Sequence, residues 1–385
     1  MARTDHRKSD LLFLQATSFL GGAEKSGVEL AAALEKTGLS LVFAIDPAGP
    51  AFRMAGEVLS RVSTIPFAPF VKPRLADLLS GDAVCKLTEA AGAIRRVREL
   101  AKDVSLAYAN GDHALVYAAL SGMKCPFIYH ARDVRLFGHA LSLAVEKAAH
   151  VIASSHFVAR HLIDNGVPEA RITVIHNGVD IDYYSKVPEK PAARKMFGLP
   201  EDKPIALWLG NVVDWKRPLT FVQAAKKLAG KALFVLVGGT HYPEDEPYMG
   251  QVRAEAEKAG VKMLPFSDDP RPFYGAADVF VSTSVREPFG RTLVEAMAAG
   301  RPVVSSDEGG KTEIIEDGIN GLLYPASDVT ALTGAIERVM NDEKLRLKMI
   351  GNGIATAAGR FSMKRCAGEV AQVIKQVMGQ YEKKG

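Results

Sequence analysis

The sequence predicts an α/β protein made of two doubly wound domains, each a parallel sheet with helices on both faces. Three observations carry that prediction. The chain has 385 residues, more than one hydrophobic core usually serves. Short apolar runs of strand length alternate with longer, helix-periodic segments nearly throughout. That rhythm stops at a proline-rich stretch (Pro188, Pro191, Pro200, Pro204) and then starts again, which marks a linker.

Taken in order, the first half predicts strands at Leu11–Ala16, Leu41–Ile45, Val104–Ala109, Phe127–His130, Val151–Ser154 and Ile172–Ile175. Helices fit between them at Glu24–Lys36, Ala83–Ala101, Ala114–Ser121 and Leu136–Lys147. His176-Asn177-Gly178-Val179-Asp180 closes this half with a turn, because Asn-Gly tolerates positive φ. The second series predicts strands at Ile205–Leu209, Leu233–Val237, Val261–Leu264, Asp278–Ser282 and Pro302–Ser305, with helices at Leu219–Ala229, Tyr248–Ala259 and Arg291–Ala299. The tail is helical over Val329–Met340, Glu343–Ala358 and Met363–Tyr381. Two such domains are expected to bind ligand in a crevice at their strand C-terminal ends.

Composition removes several classes of function. Hydrophobic residues make up 48% and charged residues 24%, an ordinary globular balance. The net charge is only +4, and 20 basic and 18 acidic residues precede Ile181, so no basic face for nucleic acid is expected. Cys85, Cys125 and Cys366 are far apart and odd in number, which gives neither a disulfide framework nor a zinc spacing. A reducing, cytoplasmic setting is the expectation. The polar start Met1–Asp10 does not read as a signal segment, and no apolar run approaches the ~20 residues that span a bilayer.

The richest segment runs from Arg286 to Gly300. Glu287 and Glu295 lie eight positions apart in Glu-Pro-Phe-Gly-Arg-Thr-Leu-Val-Glu, directly after the strand-like run Asp278–Ser284. The spacing predicts Glu287 on a strand-to-helix turn and Glu295 about two turns into the helix, at ~3.6 residues per turn. Between them the helix start, led by Gly290, offers free N–H groups and a partial positive charge. An anion site with a carboxylate on each side suits a sugar nucleotide. A capping acid and a solvent-facing acid would give the same two letters.

These residues closely resemble the donor-site motif of the retaining GT-B glycosyltransferases, the family 4 (group 1) type. The resemblance covers most of the second half specifically and the first half loosely. It implies a GT-B fold of two Rossmann-like doubly wound domains facing each other across a cleft. The expected domains are an acceptor domain at 1–180, a nucleotide-sugar donor domain at 181–360, and a helix at 361–385 returning to the first domain. By the same resemblance Glu287 approaches the donor sugar, Glu295 hydrogen-bonds the ribose, and the turn Pro288-Phe289-Gly290-Arg291-Thr292 holds the diphosphate.

Other positions follow from the same likeness. Gly21-Gly22 opens the first helix, where backbone can approach a phosphate, and resembles the family's Gly-Gly-x-Glu loop. Lys216 fits the lysine that the family places on the diphosphate. Asn211 stands where the family usually has an arginine; either Arg217 supplies the second charge or one cation suffices. His130 and His113 lie at strand ends that face the expected crevice. His130, in His130-Ala131-Arg132-Asp133, resembles a family position near the reacting sugar, while Asn110 replaces part of the family's usual His-x-His. Gly309-Gly310-Lys311-Thr312-Glu313 is a further glycine turn at a strand end. Pro66–Leu75 mixes aromatic and basic residues and suits either a lipid surface or packing on its own domain.

The implied activity is transfer of a sugar, with retention, from a UDP- or GDP-sugar to a hydroxyl of a saccharide or lipid-linked acceptor. No cofactor and no metal are expected: Asp268-Asp269 is adjacent rather than spaced, and precedes Pro270. Polysaccharide assembly in the cytoplasm, with contact at the inner membrane face, completes the expectation. Two rivals are a sugar-nucleotide epimerase on the same fold and a non-catalytic sugar-nucleotide-binding subunit. The glycine spacing does not support a nicotinamide fingerprint.

Overall fold

The computed structural model describes residues 9–17, 21–68, 82–134, 139–240 and 245–382. The chain divides into two compact units. One is Met1–Gly178 with Met363–Gly385, and the other is Val179–Ser362. The divisions fall after Gly178 and Ser362 rather than at the expected 180 and 360. The reason is local pairing: Val179 bridges Ser362, and its N–H donates to the Phe361 carbonyl at 2.9 Å.

In the first unit the described strands are β1 (Ser9–Gln15), β2 (Leu41–Ile45), β3 (Val62–Thr64), β4 (Val104–Asn110), β5 (Phe127–Ala131), β6 (His150–Ala153) and β7 (Ile172–Val174). They form one parallel sheet in the order β3-β2-β1-β4-β5-β6-β7. Both faces are covered, so its central strands are apolar without alternation, as in β2, where all five residues are buried. One face packs against the Asp82–Leu100 and Asp112–Ser121 helices through Val97, Leu115 and Tyr117. The other packs against the Gly22–Glu35 helix and the Met363–Glu382 helix through Leu30, Leu34, Val370 and Ile374. That final helix therefore belongs to the core of the first unit.

The second unit carries β8 (Ile205–Leu209), β9 (Leu233–Val237), β10 (Lys262–Leu264), β11 (Val279–Ser282), β12 (Val303–Ser306) and β13 (Leu322–Tyr324). Its parallel order is β10-β9-β8-β11-β12-β13. The reversal beside β8 puts the exits of β8, β11 and β12 next to one another, and such a switch point is where open α/β sheets bind ligands.

The proline-rich stretch read as a linker is instead part of the second unit. It contains a helix, Lys190–Met196, whose Arg194 is 3% exposed. The Arg194 guanidinium donates to the carbonyls of Ala276 and Glu201 and pairs with Asp278 at 2.6 Å. Phe197 stacks on Phe273 with ring centroids 4.3 Å apart. β3 and β13, three residues each, are strands that the sequence reading missed.

Of the Pro66–Leu75 segment, Phe67 and Ala68 are buried, and the Tyr117 hydroxyl donates to the Ala68 carbonyl at 2.7 Å. Residues 69–75, and residues 136–138 of the helix expected from Leu136, lie outside the described residues.

Candidate functional site

The second unit builds its site from three strand exits. β8 leads into a 3-10 turn, Asp214–Lys216; β11 leads into the Glu287–Gly290 turn; β12 leads into the Gly309–Glu313 turn. Their backbones are fastened together. The Val285 N–H donates to the Trp215 carbonyl at 2.8 Å, Thr283 Oγ1 donates to the Lys216 carbonyl at 2.8 Å, and the Gly310 N–H donates to the Glu287 carbonyl at 2.8 Å. A Cβ at Gly309 would lie 2.6 Å from the Glu287 carbonyl oxygen, so only glycine allows this approach.

Lys216 and Glu287 meet across two of these exits, Nζ to Oε2 at 2.7 Å. The ammonium also lies 4.4 Å from the centre of the Trp215 ring, a cation–π contact. The flanking residues Arg286 (φ 54°) and Arg217 (φ 51°) are both left-handed, so the backbone is held in costly conformations on either side of this pair. Arg217 does not add a second charge here. It pairs instead with Asp214 at 2.9 Å, both side chains substantially exposed, which corrects the expectation that it joins Lys216. Asn211 is partly buried just beyond β8.

Gly290, at φ 109° and ψ 47°, precedes the Arg291–Ala298 helix, and no side chain caps that helix start. The Leu293 N–H donates to the Gly290 carbonyl at 3.0 Å, and a helix start without a side-chain cap, with its dipole, favours an anion. Glu295 is the fifth residue of the helix, just over one turn in rather than two, because the turn between Glu287 and Gly290 is not helical. The residue is 4% exposed. Oε1 accepts from Arg291 Nε at 2.7 Å and Oε2 from the Tyr274 hydroxyl at 3.0 Å. A ribose hydroxyl at Glu295 must share those oxygens, for which a carboxylate has the lone pairs. Pro288, Phe289 and Thr292 complete the turn; Phe289 is 2% exposed and stands edge-on to Phe361. Neither Glu287 (9% exposed) nor Glu295 points into bulk solvent.

Lys311 was not singled out from the sequence, although a lysine after Gly-Gly at a strand exit was the available signal. It is 0% exposed. Its Nζ donates to the Ser284 carbonyl and to Ser306 Oγ, and its stem lies beneath Gly290, where an added Cβ would meet Lys311 Cγ at 2.9 Å. Gly290→Ala therefore combines a strained φ with a collision. Gly318→Ala, at φ 69° with open space around it, carries the backbone cost alone. The expected outcome in urea unfolding is a loss of ~1 kcal/mol for Gly318→Ala and ~2–4 kcal/mol for Gly290→Ala. Equal losses would show that Lys311 yields freely.

The first unit's candidates gather differently. A chain of hydrogen bonds runs from Glu24 through Thr17, Gln15 and Asn110 to Arg132, with steps of 2.8, 3.1, 2.6 and 2.8 Å. Arg132 continues it to Ser26 and Asn177. Asn110 thus spends its amide on Gln15 and Arg132 and does not take over a histidine's role. Gly21 flanks the Gly22–Glu35 helix, but the Glu24 carboxylate folds back over it, Oε2 lying 2.6 Å from where a Cβ at Gly21 would stand. The Gly21-Gly22 helix start therefore already has an anion beside it.

His130 was expected to open onto the ligand. The structure corrects this: the ring is 0% exposed. Nδ1 bonds to the Tyr108 hydroxyl, the two rings meet edge-on, and Nε2 has no hydrogen-bond partner among the described residues. On β5 it shares a face with Ile128 and so points into the layer under the Met363–Glu382 helix. Burial, with the Arg132 charge nearby, holds the imidazole neutral, its pKa well below the ordinary value. His113 is only partly buried at the start of the Asp112–Ser121 helix, and burial lowers its pKa as well.

Two doubly wound parallel sheets with a charged helix start at the exit of β11 define a GT-B-type protein, and solved structures agree. HepE of Anabaena, solved in complex with UDP-glucose, superposes with a TM-score of 0.83 at 25% identity, covering 96% of this chain and 100% of that one. Sucrose-phosphate synthase of Thermosynechococcus elongatus gives a TM-score of 0.77 at 21% identity, covering 97% of this chain and all of its own. Residues 189–356 match the family described as Glycosyl transferases group 1, and residues 20–183 match Glycosyltransferase Family 4. The second half of the chain thus carries the group 1 glycosyltransferase domain, and the first half the Family 4 glycosyltransferase domain.

Among curated relatives, the lipopolysaccharide core biosynthesis glycosyltransferase LpsE of Rhizobium meliloti is 33% identical over 170 residues, 44% of this chain and 49% of that protein. The D-inositol 3-phosphate glycosyltransferase of Mycobacterium bovis is 31% identical over 244 residues, 62% of this chain and 50% of its own length. The chain spans about half the length of these relatives. No helix among the described residues is long and apolar enough to cross a membrane.

Proposed function

We propose that this protein moves a sugar from a nucleoside-diphosphate sugar to a hydroxyl of a saccharide or lipid-linked acceptor, with retention and without a metal. The observation that carries the reading is the Lys216–Glu287 pair at the uncapped Gly290 helix start. UDP is the preferred carrier in this reading, since HepE was solved with UDP-glucose. Action in the cytoplasm, on an acceptor presented at the inner membrane face, belongs to the same reading.

In the proposed reaction the bond from the anomeric carbon to the diphosphate breaks, and negative charge grows on the leaving nucleoside diphosphate. Lys216 turns from Glu287 to that charge, and the Gly290 helix start meets it with N–H groups already in place. Glu287, released from Lys216, accepts a hydrogen bond from the sugar or eases positive charge at its ring. The acceptor hydroxyl attacks on the face the diphosphate leaves, and its proton passes to a departing phosphate oxygen. Glu287 and Glu295 are not the carboxylate pair that hydrolases place across a scissile bond. His130, buried as it is, has no place in contact with substrate; His113 keeps the role of a candidate near the acceptor.

A thermal-shift panel of UDP, GDP, ADP and their glucose conjugates tests the donor reading. One base should stand out, since a ligand at ~100 times its Kd adds about 2.7 kcal/mol to stability and raises Tm by several degrees. A panel in which nothing shifts Tm would reject the donor site. Release of the nucleoside diphosphate that depends on added acceptor then separates transfer from epimerisation, which needs none.

A further inference from the structure

We propose that the Lys311 ammonium supports the diphosphate site from beneath the Gly290 turn. Buried under Gly290, it ties the donor turn to β11 and β12 and places a positive charge beneath the bound diphosphate. The inference rests on the donor reading above and extends it to a residue outside any contact with ligand. Lys311 is thus a positioning residue.

The geometry is the first support. Nζ donates to the Ser284 carbonyl, just beyond β11, and to Ser306 Oγ, the last residue of β12. Cγ lies under Gly290, the residue that opens the helix. A lysine with no exposed surface is rare, because its charge must leave water. A packed apolar side chain would fill the space without that cost. The charge itself therefore needs a reason, and an anion on the other side of the Gly290 turn supplies one.

Electrostatics gives the second support. Burial lowers the Lys311 pKa to about 7, opposed by Glu287 and, more weakly, by Glu308 and Asp307, and assisted by Lys216. These are the charged groups that face it from the three turns, and no histidine occurs between residues 278 and 315. The sign follows directly. Below about pH 7 the amine is protonated and attracts the diphosphate; as pH rises through that value the proton and the attraction are lost. By linkage, bound diphosphate raises the Lys311 pKa, and affinity falls tenfold for each unit of that rise.

Calorimetric binding of UDP-glucose from about pH 6 to about pH 9 tests this, because its diphosphate is esterified at both ends and does not titrate there. In the wild type, Kd should rise about five- to tenfold across the range. In Lys311→Met, Kd should be weak already at the acid end and nearly flat. In Ser306→Ala, which takes one acceptor from the ammonium, the midpoint should move to lower pH while the acid plateau stays near the wild-type value. Parallel pH profiles in wild type and Lys311→Met would overturn the inference and leave the donor site standing. Should Lys311→Met not fold, an unmoved midpoint in Ser306→Ala overturns it equally. Absence of UDP-glucose binding at every pH in the wild type sinks the UDP-donor reading and this inference with it.

Discussion

Glu287→Gln is expected to lower kcat by about 10²–10³-fold while leaving the Kd for UDP unchanged or tighter. The substitution keeps the size and shape of the side chain and removes its charge. In the resting structure that charge holds Lys216 at 2.7 Å, with both side chains largely buried. Without it Lys216 is free to turn to a phosphate, so nucleotide binding gains what the pair no longer takes. The chemical step loses a carboxylate beside the sugar ring. Steady-state kinetics with an acceptor, set beside calorimetry with UDP alone, reads the two effects separately. Equal losses in both would mean that Glu287 only shapes the turn.

The second large effect is expected at Glu295. Its partner Arg291 is 8% exposed, so Glu295→Ala leaves a guanidinium buried beside an empty acceptor position. Removing one partner of a buried pair costs ~3–5 kcal/mol, and the Tyr274 hydroxyl loses its acceptor at the same time. Urea unfolding should show the whole of that loss. The double variant Arg291→Met, Glu295→Leu should recover most of the stability, because a packed apolar pair avoids desolvating two charges. It should not recover UDP affinity. If it binds UDP like the wild type, the pair serves only the fold and the ribose contact is elsewhere.

Much of the fold was legible because its signals are local. The runs Leu11–Ala16 and Leu233–Val237 each predict a strand by themselves, and Val329–Met340 predicts a helix by its own periodicity. The Lys190–Met196 helix was not legible, since the prolines around it carry a linker's composition. What overrides them is Arg194, whose partners lie at Ala276 and Asp278, far along the chain. His130 was misread for a related reason. Its strand and its position at the strand end were right, but whether a strand residue faces a ligand or a covering helix depends on the other side of the sheet.

From the sequence alone came the two series of parallel strands and the Glu287–Glu295 motif around a helix start, because periodicity, turn chemistry and motif spacing are properties of neighbouring residues. Only the tertiary structure decided which charges meet. Lys216, Glu287 and Lys311 belong to three separate segments, the first two 71 residues apart. They come together because β8, β11 and β12 lie side by side in the sheet and run the same way, so their exits share one edge. Strand order is set by packing across the whole unit, and no local pattern of residues encodes it.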